Sequence, residues 1–226
     1  MCSMRALDIR DLGGEADYEA VTALQESLLA DRASRRIPDT LLLLEHWRVY
    51  TLGRSAGPDH VLWSDDELAR RGIARHAASR GGDVTYHGPG QLVGYPIIHL
   101  GEARLSLLDY VRGLEETLIR ALAASGIAGT RDQRNRGVWI GNDKIAAIGI
   151  RISRQVSMHG FALNVTTCLE DYQGLVACGL QDAGVTSMAA VCGQPQNIAV
   201  VKSAVVRAFR EVFGYDEFLR LACDNA

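Results

Sequence analysis

The chain has 226 residues, 47% of them hydrophobic, and its formal net charge at pH 7 is −3. This length and apolar content are enough for one folded domain with a substantial core, and the negative charge argues against a general nucleic-acid binder, which is usually basic. The N-terminal residues lack the apolar core of a secretion signal and no apolar run approaches the roughly 18 residues of a membrane span, so we expect a soluble, cytoplasmic protein without a membrane partner.

The first predicted elements are a helix and two strands. Apolar side chains recur on one helical face of residues 17–29, which predicts a helix there. The apolar run at residues 40–45 is short and uninterrupted, as in a buried strand. A second strand is predicted over residues 95–100, with Pro96 near its start, where a missing backbone donor is tolerated.

Between these strands, residues 79–91 have the composition of a binding site. The segment contains four glycines, which let a backbone turn sharply and come close to a ligand, and Pro89, which stiffens it. Arg80, Tyr86 and His87 supply charge and hydrogen-bonding groups. Neither a Walker A sequence nor a G-x-G-x-x-G spacing is present, so the pattern does not predict phosphate binding.

Two longer amphipathic helices are predicted in the second half of the chain. Residues 106–122 carry leucine and valine at steps of three and four, and Ser106 with Asp109 matches a capping box. Residues 197–213 have a similar apolar stripe. Helical and extended patterns alternate without an internal repeat, a low-complexity tract or a linker, so we predict one continuous domain over residues 1–226.

A hairpin is predicted from residues 138–140, a turn at 141–143 and a second strand at 144–152. In a second strand without a bulge, the residues that share a face with Lys144 are Ala146, Ile148, Ile150 and Ile152. A lysine in this position either reaches water from the tip of the strand or faces the apolar side. In the second case its pKa is depressed and its amine becomes usable as a base.

The five cysteines stand at positions 2, 168, 178, 192 and 223. They form no C-x-x-C pair and no zinc-type spacing, and an odd number fits poorly with a disulfide framework, so a reducing compartment is indicated. An isolated cysteine is usually a small buried apolar residue. We predict no metal site, because such a site needs three or more convergent ligands.

Cys178 is the cysteine whose context suits a nucleophile, because the following Gly179 leaves the backbone N–H unobstructed. A cysteine attacks carbonyl groups as a thiolate and therefore needs a neighbouring base or cation. The candidates for that neighbour are Lys144, His87 and His159, which all lie in glycine-containing, polar segments.

Four segments resemble the motif set of the octanoyltransferases that begin protein lipoylation (octanoyl-carrier-protein:protein N-octanoyltransferases); they are residues 80–91, 144–151, 159–164 and 178–179. Residues 41–46 and 49–54 extend the resemblance, which covers the chain from about residue 40 to residue 190. Two positions depart from the family pattern: Ala177 and Arg48 stand where the family usually has proline.

The resemblance implies the α/β fold of lipoate and biotin protein ligases, a mixed sheet flanked by helices. It further implies that Cys178 is the nucleophile that carries the acyl group as a thioester, and that Lys144 deprotonates this thiol or forms an ion pair with it. His159 is a further auxiliary candidate. The residues implied to line the acyl-chain tunnel are Arg80, Gly81, Gly82, Asp83, Val84, Thr85, Tyr86, His87, Ala147, Ile148, Gly149, Gly160, Phe161 and Ala162.

The implied partners are octanoyl acyl carrier protein as donor, and the lipoyl domains of 2-oxoacid dehydrogenases and the glycine cleavage H protein as acceptors. Exchange of one thioester for another conserves the activated acyl group, so neither ATP nor another cofactor is expected. The small residues Ala147, Gly149, Gly160 and Ala162 leave room for an eight-carbon chain. Arginines at positions 131, 134, 136, 151 and 154 either provide a local basic docking patch for these acidic partner proteins or belong to a solvated charged loop.

Two other functions are consistent with the same residues. An ATP-dependent lipoate or biotin ligase of the same fold would need adenylate-handling motifs, and the chain has neither a glycine triplet after Arg80 nor a second arginine before it. A non-catalytic binder of acyl chains or lipoyl domains would bind tightly without forming an acyl adduct on Cys178.

Overall fold

The computed structural model of the chain describes residues 5–176 and 183–215. The strands in these ranges are β1 (Leu7–Asp11), β2 (Asp39–Leu44), β3 (Val49–Leu52), β4 (Ala74–Ala77), β5 (Val84–His87), β6 (Gln91–Ile97), β7 (Gly137–Ile140), β8 (Asp143–Ser153), β9 (Val156–Asn164) and β10 (Gly184–Val185). The helices are α1 (Tyr18–Ala33), α2 (Asp65–Arg71), α3 (Leu100–Ala103), α4 (Leu107–Ala123), α5 (Met188–Cys192) and α6 (Ile198–Phe213), with short 3₁₀ segments at Pro58–His60 and Leu169–Gly174.

The larger sheet is mixed, as predicted. Its strand order is β1-β2-β6-β9-β8-β10, and β7 also pairs with β8. The β1–β2 and β8–β10 pairs are parallel, whereas β2–β6, β6–β9, β8–β9 and β7–β8 are antiparallel. The strands β2, β6 and β9 are buried along their whole length, which is typical of a sheet covered on both faces.

Alternate residues of β2 enter two different cores, because successive side chains of a strand point to opposite faces. Leu41 and Leu43 belong to the core that includes the apolar faces of α4 and α6. Leu42 and Leu44 belong to the core formed with α1. The large sheet is therefore sandwiched between α1 on one face and α4 with α6 on the other.

A smaller sheet has the order β4-β3-β5 and its own apolar cluster. Tyr50 of β3 and Tyr86 of β5 are fully buried in this cluster, together with Leu68 of α2 and Leu175. We call residues 78–83, between β4 and β5, the glycine-rich loop, because they contain Gly81 and Gly82. The smaller sheet thus holds this loop next to the large sheet.

The two ends of the described chain meet at a buried carboxylate. Asp39 accepts hydrogen bonds from Arg5 (2.6 Å), Arg32 (2.8 Å), the hydroxyl of Tyr215 (2.7 Å) and the backbone N–H of His99 (3.0 Å). Burial alone would raise the pKa of Asp39, but these donors lower it below the usual value. Arg5 also pairs with Tyr215 as an isolated parallel bridge.

The three predicted long helices are confirmed. The first is α1, where Asp17 accepts from the backbone N–H of Ala20. The second is α4, and Ser106 and Asp109 form the predicted capping box. The third is α6, which begins after Asn197 as N-cap.

The two strand predictions have different outcomes. The strand at residues 40–45 is confirmed as β2. The strand at residues 95–100 is wrong in its bounds, because β6 begins at Gln91, where it pairs with Asn164 of β9, and Pro96 is its second-to-last residue. Among the described cysteines, Cys168 is exposed and not buried as expected, whereas Cys192 is partly buried; both are free thiols. In the described part of the chain, no helix is long and apolar enough to cross a membrane.

Candidate active site

A narrow cavity of about 60 Å³ lies between β8 and β9 of the large sheet and the glycine-rich loop of the smaller one. We call it the inner cavity. The sequence-predicted residues that line it are Arg80, Gly81, Gly82, Asp83, Val84, Thr85, His87, Lys144, Ala147, Ile148, Gly149, His159, Gly160, Phe161 and Ala162. The volume suits a short row of water molecules or a slim ligand. The two site-like segments of the sequence therefore do form one pocket.

Lys144 reaches the inner cavity because β8 contains a bulge. β8 has one more residue than β7 between the pairs Val138–Ala146 and Trp139–Lys144, and such an extra residue reverses the alternation of side chains beyond it. Ala146 is part of the core with α4 and α6, and Ile148, Ile150 and Ile152 pack against that core. The shared face was predicted for a strand without a bulge, and this bulge changes which residues lie beside Lys144.

The Lys144 side chain is only 7% exposed, so it does not extend into bulk water. Its Nζ donates to Oδ1 of Asn135 (3.0 Å) and lies 5.4 Å from the centre of the Trp139 ring. Gly137, with a φ of +139°, makes room for the stem, because a Cβ there would lie 2.7 Å from Cε of Lys144. These contacts hold the amine at the cavity wall.

Arg80 braces the glycine-rich loop from inside. Its guanidinium donates to the hydroxyl of Thr51 (2.8 Å), to the carbonyl of Thr51 (2.6 Å) and to the carbonyl of Asp83 (2.7 Å). The loop is also tied to the large sheet, since the N–H of Gly81 donates to the carbonyl of Ile150 (2.9 Å). Arg80 thus fixes the shape of the loop over β8.

His87 is part of a hydrogen-bond chain that fixes a neutral imidazole. Its Nδ1 lies 2.8 Å from Oε1 of Gln91, an acceptor, so Nδ1 carries the proton. Gln91 in turn donates to Oδ1 of Asn164 (2.9 Å). Burial, followed by the fields of His46 and Arg80, lowers the pKa of His87 well below its ordinary value. A group with this pKa positions its neighbours and does not serve as a base near neutral pH.

His159 and His46 are neutral for similar reasons. Burial and the charges of Arg80 and Arg151 lower the pKa of His159 to about 4, and its Nε2 lies 3.1 Å from the hydroxyl of Ser79. Burial lowers the pKa of His46 to about 4 as well. The two histidine candidates for the neighbour of a cysteine thiolate, His87 and His159, are therefore neutral at pH 7.

Tyr86 is the predicted lining residue whose side chain lies away from the inner cavity. Thr85 and His87 line the cavity, and strand alternation turns Tyr86 into the cluster of the smaller sheet. Its hydroxyl donates to Oδ2 of Asp171 (2.7 Å). Burial and this carboxylate raise the pKa of Tyr86.

Two of the four predicted small residues, Gly149 of β8 and Gly160 of β9, partly make room for neighbouring protein atoms. A Cβ at Gly149 would lie 2.9 Å from Cδ of Arg80, and one at Gly160 would lie 2.6 Å from Cδ of Pro96. These glycines therefore admit neighbouring protein atoms, whereas Ala147 and Ala162 line the cavity with their methyl groups.

Cys178 lies outside the described residues, but the chain on either side of it is placed. The N–H of Val176 donates to the carbonyl of His60 (2.9 Å), and the His60 ring bonds the carboxylate of Asp83 in the glycine-rich loop. On the other side, Val185 of β10 pairs with Lys144. Both described ends are thus next to elements of the inner cavity.

The predicted basic patch is divided and partly neutralised. Arg131 forms ion pairs with Glu115 (3.2 Å) and Glu116 (2.7 Å), and Arg134 pairs with Asp132 (2.7 Å). The remaining arginine of this group, Arg136, is exposed and forms no ion pair with the described residues. The arginines at 151 and 154 lie at the opposite end of β8, an eleven-residue strand.

Sequence analysis missed three lining residues, Tyr18, Tyr95 and Asn135. The two tyrosines stand in predicted elements whose apolar patterns gave no sign of a site. Asn135 lies in an arginine-rich stretch that reads as a solvated loop. Among the described residues, no group of three or more histidine, cysteine, aspartate or glutamate side chains could hold a metal ion.

Residues 17–210 match the family described as lipoyl protein ligase A/B catalytic domain. An octanoyltransferase of Alkaliphilus metalliredigens is 46% identical over 204 residues, which cover 90% of this chain and 94% of that protein. An octanoyltransferase of Chloroflexus aurantiacus is 46% identical over 216 residues, covering 94% of this chain and 96% of the relative.

Solved structures with the same fold are more distant in sequence. A lipoate-protein ligase A bound with ATP superposes with a TM-score of 0.72 at 17% identity, covering 98% of this chain and 90% of that chain. A biotin protein ligase from Aquifex aeolicus superposes with a TM-score of 0.52 at 12% identity, covering 93% of this chain and 69% of that chain. The predicted α/β fold of lipoate and biotin ligases is confirmed.

Proposed function

The chain belongs to the lipoyl protein ligase A/B catalytic domain family, and we propose that it is an octanoyltransferase that begins protein lipoylation. It takes an octanoyl group from acyl carrier protein, holds it as a thioester on Cys178, and passes it to a lysine of a lipoyl domain. The curated relatives that cover about nine-tenths of the chain at 46% identity are octanoyltransferases, whereas the ligases share less than a fifth of its residues and therefore indicate the fold alone.

The observation that carries this proposal is the position of Lys144. A buried amine stands on the wall of a narrow cavity, beside the strand β10 to which the Cys178 segment leads. From Val185, which pairs with Lys144, the chain returns to Cys178 within seven residues. A cation near a thiol favours its thiolate form. We infer that Lys144 and Cys178 act as a pair.

In the first half of the proposed reaction, the Cys178 thiolate attacks the carbonyl carbon of the octanoyl carrier thioester. A new C–S bond forms, the bond to the carrier sulfur breaks, and the carrier thiolate takes up the proton that Lys144 received from Cys178. One thioester replaces another, so the acyl group stays activated and no ATP is consumed. Neither a metal nor another cofactor enters this chemistry.

In the second half, the amine of the acceptor lysine attacks the acyl thioester on Cys178. A C–N bond forms, the C–S bond breaks, and the proton lost by the amine returns to the cysteine sulfur, with Lys144 as the carrier. Both halves pass through a tetrahedral oxyanion. Backbone N–H groups of the glycine-rich segments are suitable donors for it.

The inner cavity is the proposed site for the eight-carbon chain. Its walls include the methyl groups of Ala147 and Ala162 and the ring of Phe161, and the neutral His87 and His159 add no charge. Arg80 and the glycine-rich loop determine its width. Tyr86 does not line the cavity, but its hydrogen bond to Asp171 holds β5 in place beside it.

The proposed partners are octanoyl acyl carrier protein and lipoyl domains, including those of 2-oxoacid dehydrogenases and the glycine cleavage H protein. We infer that residues 1–226 act as a single catalytic domain in the cytoplasm. The decisive experiment is intact mass spectrometry after mixing the protein with octanoyl acyl carrier protein. We expect a mass gain of one octanoyl group on Cys178, lost when a lipoyl domain is added. Pyrophosphate release from ATP and free octanoate would instead identify a ligase, and tight binding without an adduct would identify a binder.

Substitutions of the individual cysteines should affect activity differently, because only Cys178 is the proposed nucleophile. We expect Cys178→Ser to abolish turnover, because loss of a covalent nucleophile typically costs several orders of magnitude in rate. Alanine at Cys168 or Cys192, which are free thiols outside the lining of the inner cavity, should leave most activity, as should alanine at Cys2 or Cys223. Full activity in Cys178→Ser, or loss in a folded Cys168→Ala, would refute the assignment.

A further inference from the structure

Beyond the inner cavity lies a second cavity of about 240 Å³ between α1 and β4. We call it the outer cavity; its lining residues are Tyr18, Glu19, Thr22, Ala23, Glu26, His76 and Ala77. Of the described residues, Tyr18 lines both the inner and the outer cavity. Its ring lies between two histidines, 6.4 Å from the ring of His87 in the inner cavity and 5.8 Å from that of His76 in the outer one.

The Tyr18 ring stands between the two cavities and forms a partition there. The residue is only 5% exposed, although it stands at the first position of α1 and next to the outer cavity. A third ring, that of His46, lies 5.3 Å away and supports it from the side. Because Tyr18 borders both cavities, it is a wall that they share.

Tyr18 also lies far from Lys144 across the sheet. Lys144 is on β8, and Tyr18 contacts His46, which follows β2. In the strand order β2-β6-β9-β8, three spacings of about 4.8 Å separate these strands, or roughly 14 Å. An eight-carbon chain has seven C–C bonds of about 1.5 Å and extends roughly 9 Å. A chain that starts near Lys144 therefore spans about two-thirds of this distance, and the side chain of Tyr18, which borders the same cavity, takes up the remainder.

We propose that Tyr18 closes the far end of the inner cavity and thereby sets the longest acyl chain that the site accepts. This inference rests on the proposed acyl transfer. Burying each methylene group of the acyl chain lowers the free energy of binding as long as the cavity has room for it. The cavity ends at the Tyr18 ring, so further methylene groups would not be buried. Removing the ring joins the inner cavity to the 240 Å³ beyond it, so a longer chain finds space.

The test compares octanoyl and dodecanoyl thioesters of acyl carrier protein as competing donors, with the mass of the acylated lipoyl domain as readout. In Tyr18→Ala we expect the ratio of dodecanoyl to octanoyl transfer to rise roughly 10- to 100-fold, because four more methylenes are buried. Tyr18→Phe keeps the partition and should retain the wild-type ratio. Adding Ala77→Phe, on the wall of the outer cavity, to Tyr18→Ala should reverse part of the rise.

Tyr18→Leu serves where Tyr18→Ala does not fold, and it should give a smaller shift in the same direction. An unchanged ratio in folded Tyr18→Ala or Tyr18→Leu, with octanoyl transfer retained, would overturn the inference. Failure of the wild-type protein to transfer octanoate would instead overturn the proposed function. In that event calorimetric binding of free octanoate and dodecanoate to the wild type and the Tyr18 variants still decides whether the ring limits chain length.

Discussion

Lys144 is held more tightly than a surface lysine. Its amine bonds Asn135 and lies over Trp139, and its stem passes Gly137. An amine that takes a proton from a thiol and later returns it must be able to exist in both forms. Lysine meets this requirement in buried sites, whereas arginine does not lose its proton in a protein.

We expect Lys144→Arg to lose nearly as much activity as Lys144→Ala, although arginine keeps the positive charge. A role limited to ion pairing would tolerate arginine better. The rate of Cys178 alkylation against pH checks the pairing directly: the wild-type thiol should have a pKa below the free-cysteine value of about 8.5, and the value should return towards it in Lys144→Ala. Identical titrations in the two proteins would contradict a Lys144–Cys178 pair.

At the scale of residues, composition was a sufficient guide to the glycine-containing segment 79–91 but not to the direction of every side chain in it. Arg80 and His87 could be predicted because polar residues among dense glycines are typical of a site. Tyr86 could not be separated from them, since only the pairing of β5 with β3 decides which way each side chain points. Tyr18 could not be predicted as a lining residue for another reason: a tyrosine at the start of a helix is usually a partly exposed surface residue.

The bulge in β8 is the element that brings Lys144 into the site. We expect Gly137→Ala to disturb it, because the new Cβ would lie 2.2 Å from the carbonyl oxygen of Ala146 and 2.7 Å from Cε of Lys144, and the backbone must hold a φ of +139°. Activity should fall by about tenfold or more, as displacements near 1 Å commonly do.

Gly141→Ala is the matched control in the same hairpin. Gly141 also has a positive φ, +59°, but nothing lies within 4 Å of the position of its Cβ. We expect it to lower the free energy of unfolding by about 1 to 2 kcal/mol with little effect on the reactivity of Cys178. An equal loss of thiol reactivity in both variants would show that Gly137 only stabilises the hairpin and does not position Lys144.

Among the elements, long helices were predictable and the bulge was not. The stripes of α4 and α6 repeat over four turns, and local caps at Ser106 and Asn197 mark their starts. A single extra residue leaves no mark in a run such as residues 144–152, where every side chain is compatible with either register. Tertiary pairing with β7 decides it.

On the scale of the whole molecule, a net charge of −3 must still admit an acidic carrier protein. Because Arg131 and Arg134 are engaged by carboxylates, we expect Arg136 to matter most for docking. Arg136→Glu should raise the KM for octanoyl carrier protein, most strongly at low salt, and leave reaction with a small octanoyl thioester unchanged.

Arg154→Glu is the matched control, since this exposed arginine follows the far end of β8. Arg131→Glu should instead destabilise the fold, because it leaves buried Glu115 beside a like charge. Equal losses with carrier and small thioester in Arg136→Glu would mean that this residue shapes the site.

The buried histidines make the whole fold sensitive to acid. His46 and His159 have folded pKa values of about 4, below the unfolded value of about 6.5. The unfolded chain therefore binds more protons in this window, and stability falls as pH drops from about 6.5 to 4, by up to about 3 kcal/mol per histidine. Urea unfolding at a series of pH values measures this. His159→Gln should flatten the dependence, and an equally steep decline in that variant would contradict it.

The overall architecture was predictable only through the resemblance of its motifs. Alternating patterns indicate α/β, but the choice of α1 for one face and of α4 with α6 for the other depends on contacts between residues distant in sequence. The alternation of Leu41 to Leu44 between two cores illustrates this, because all four leucines read as one apolar run.

Arg5 and Tyr215 meet over Asp39, so the described chain is nearly a closed ring. A circularly permuted version that joins Arg5 to Tyr215 through a short linker and opens the chain at residues 194–196, between α5 and α6, would cut neither the sheet nor any wall of the inner cavity. Such a permutant keeps every contact of the site while changing the order in which its parts are synthesised. The geometry of the site therefore does not depend on which element comes first along the chain.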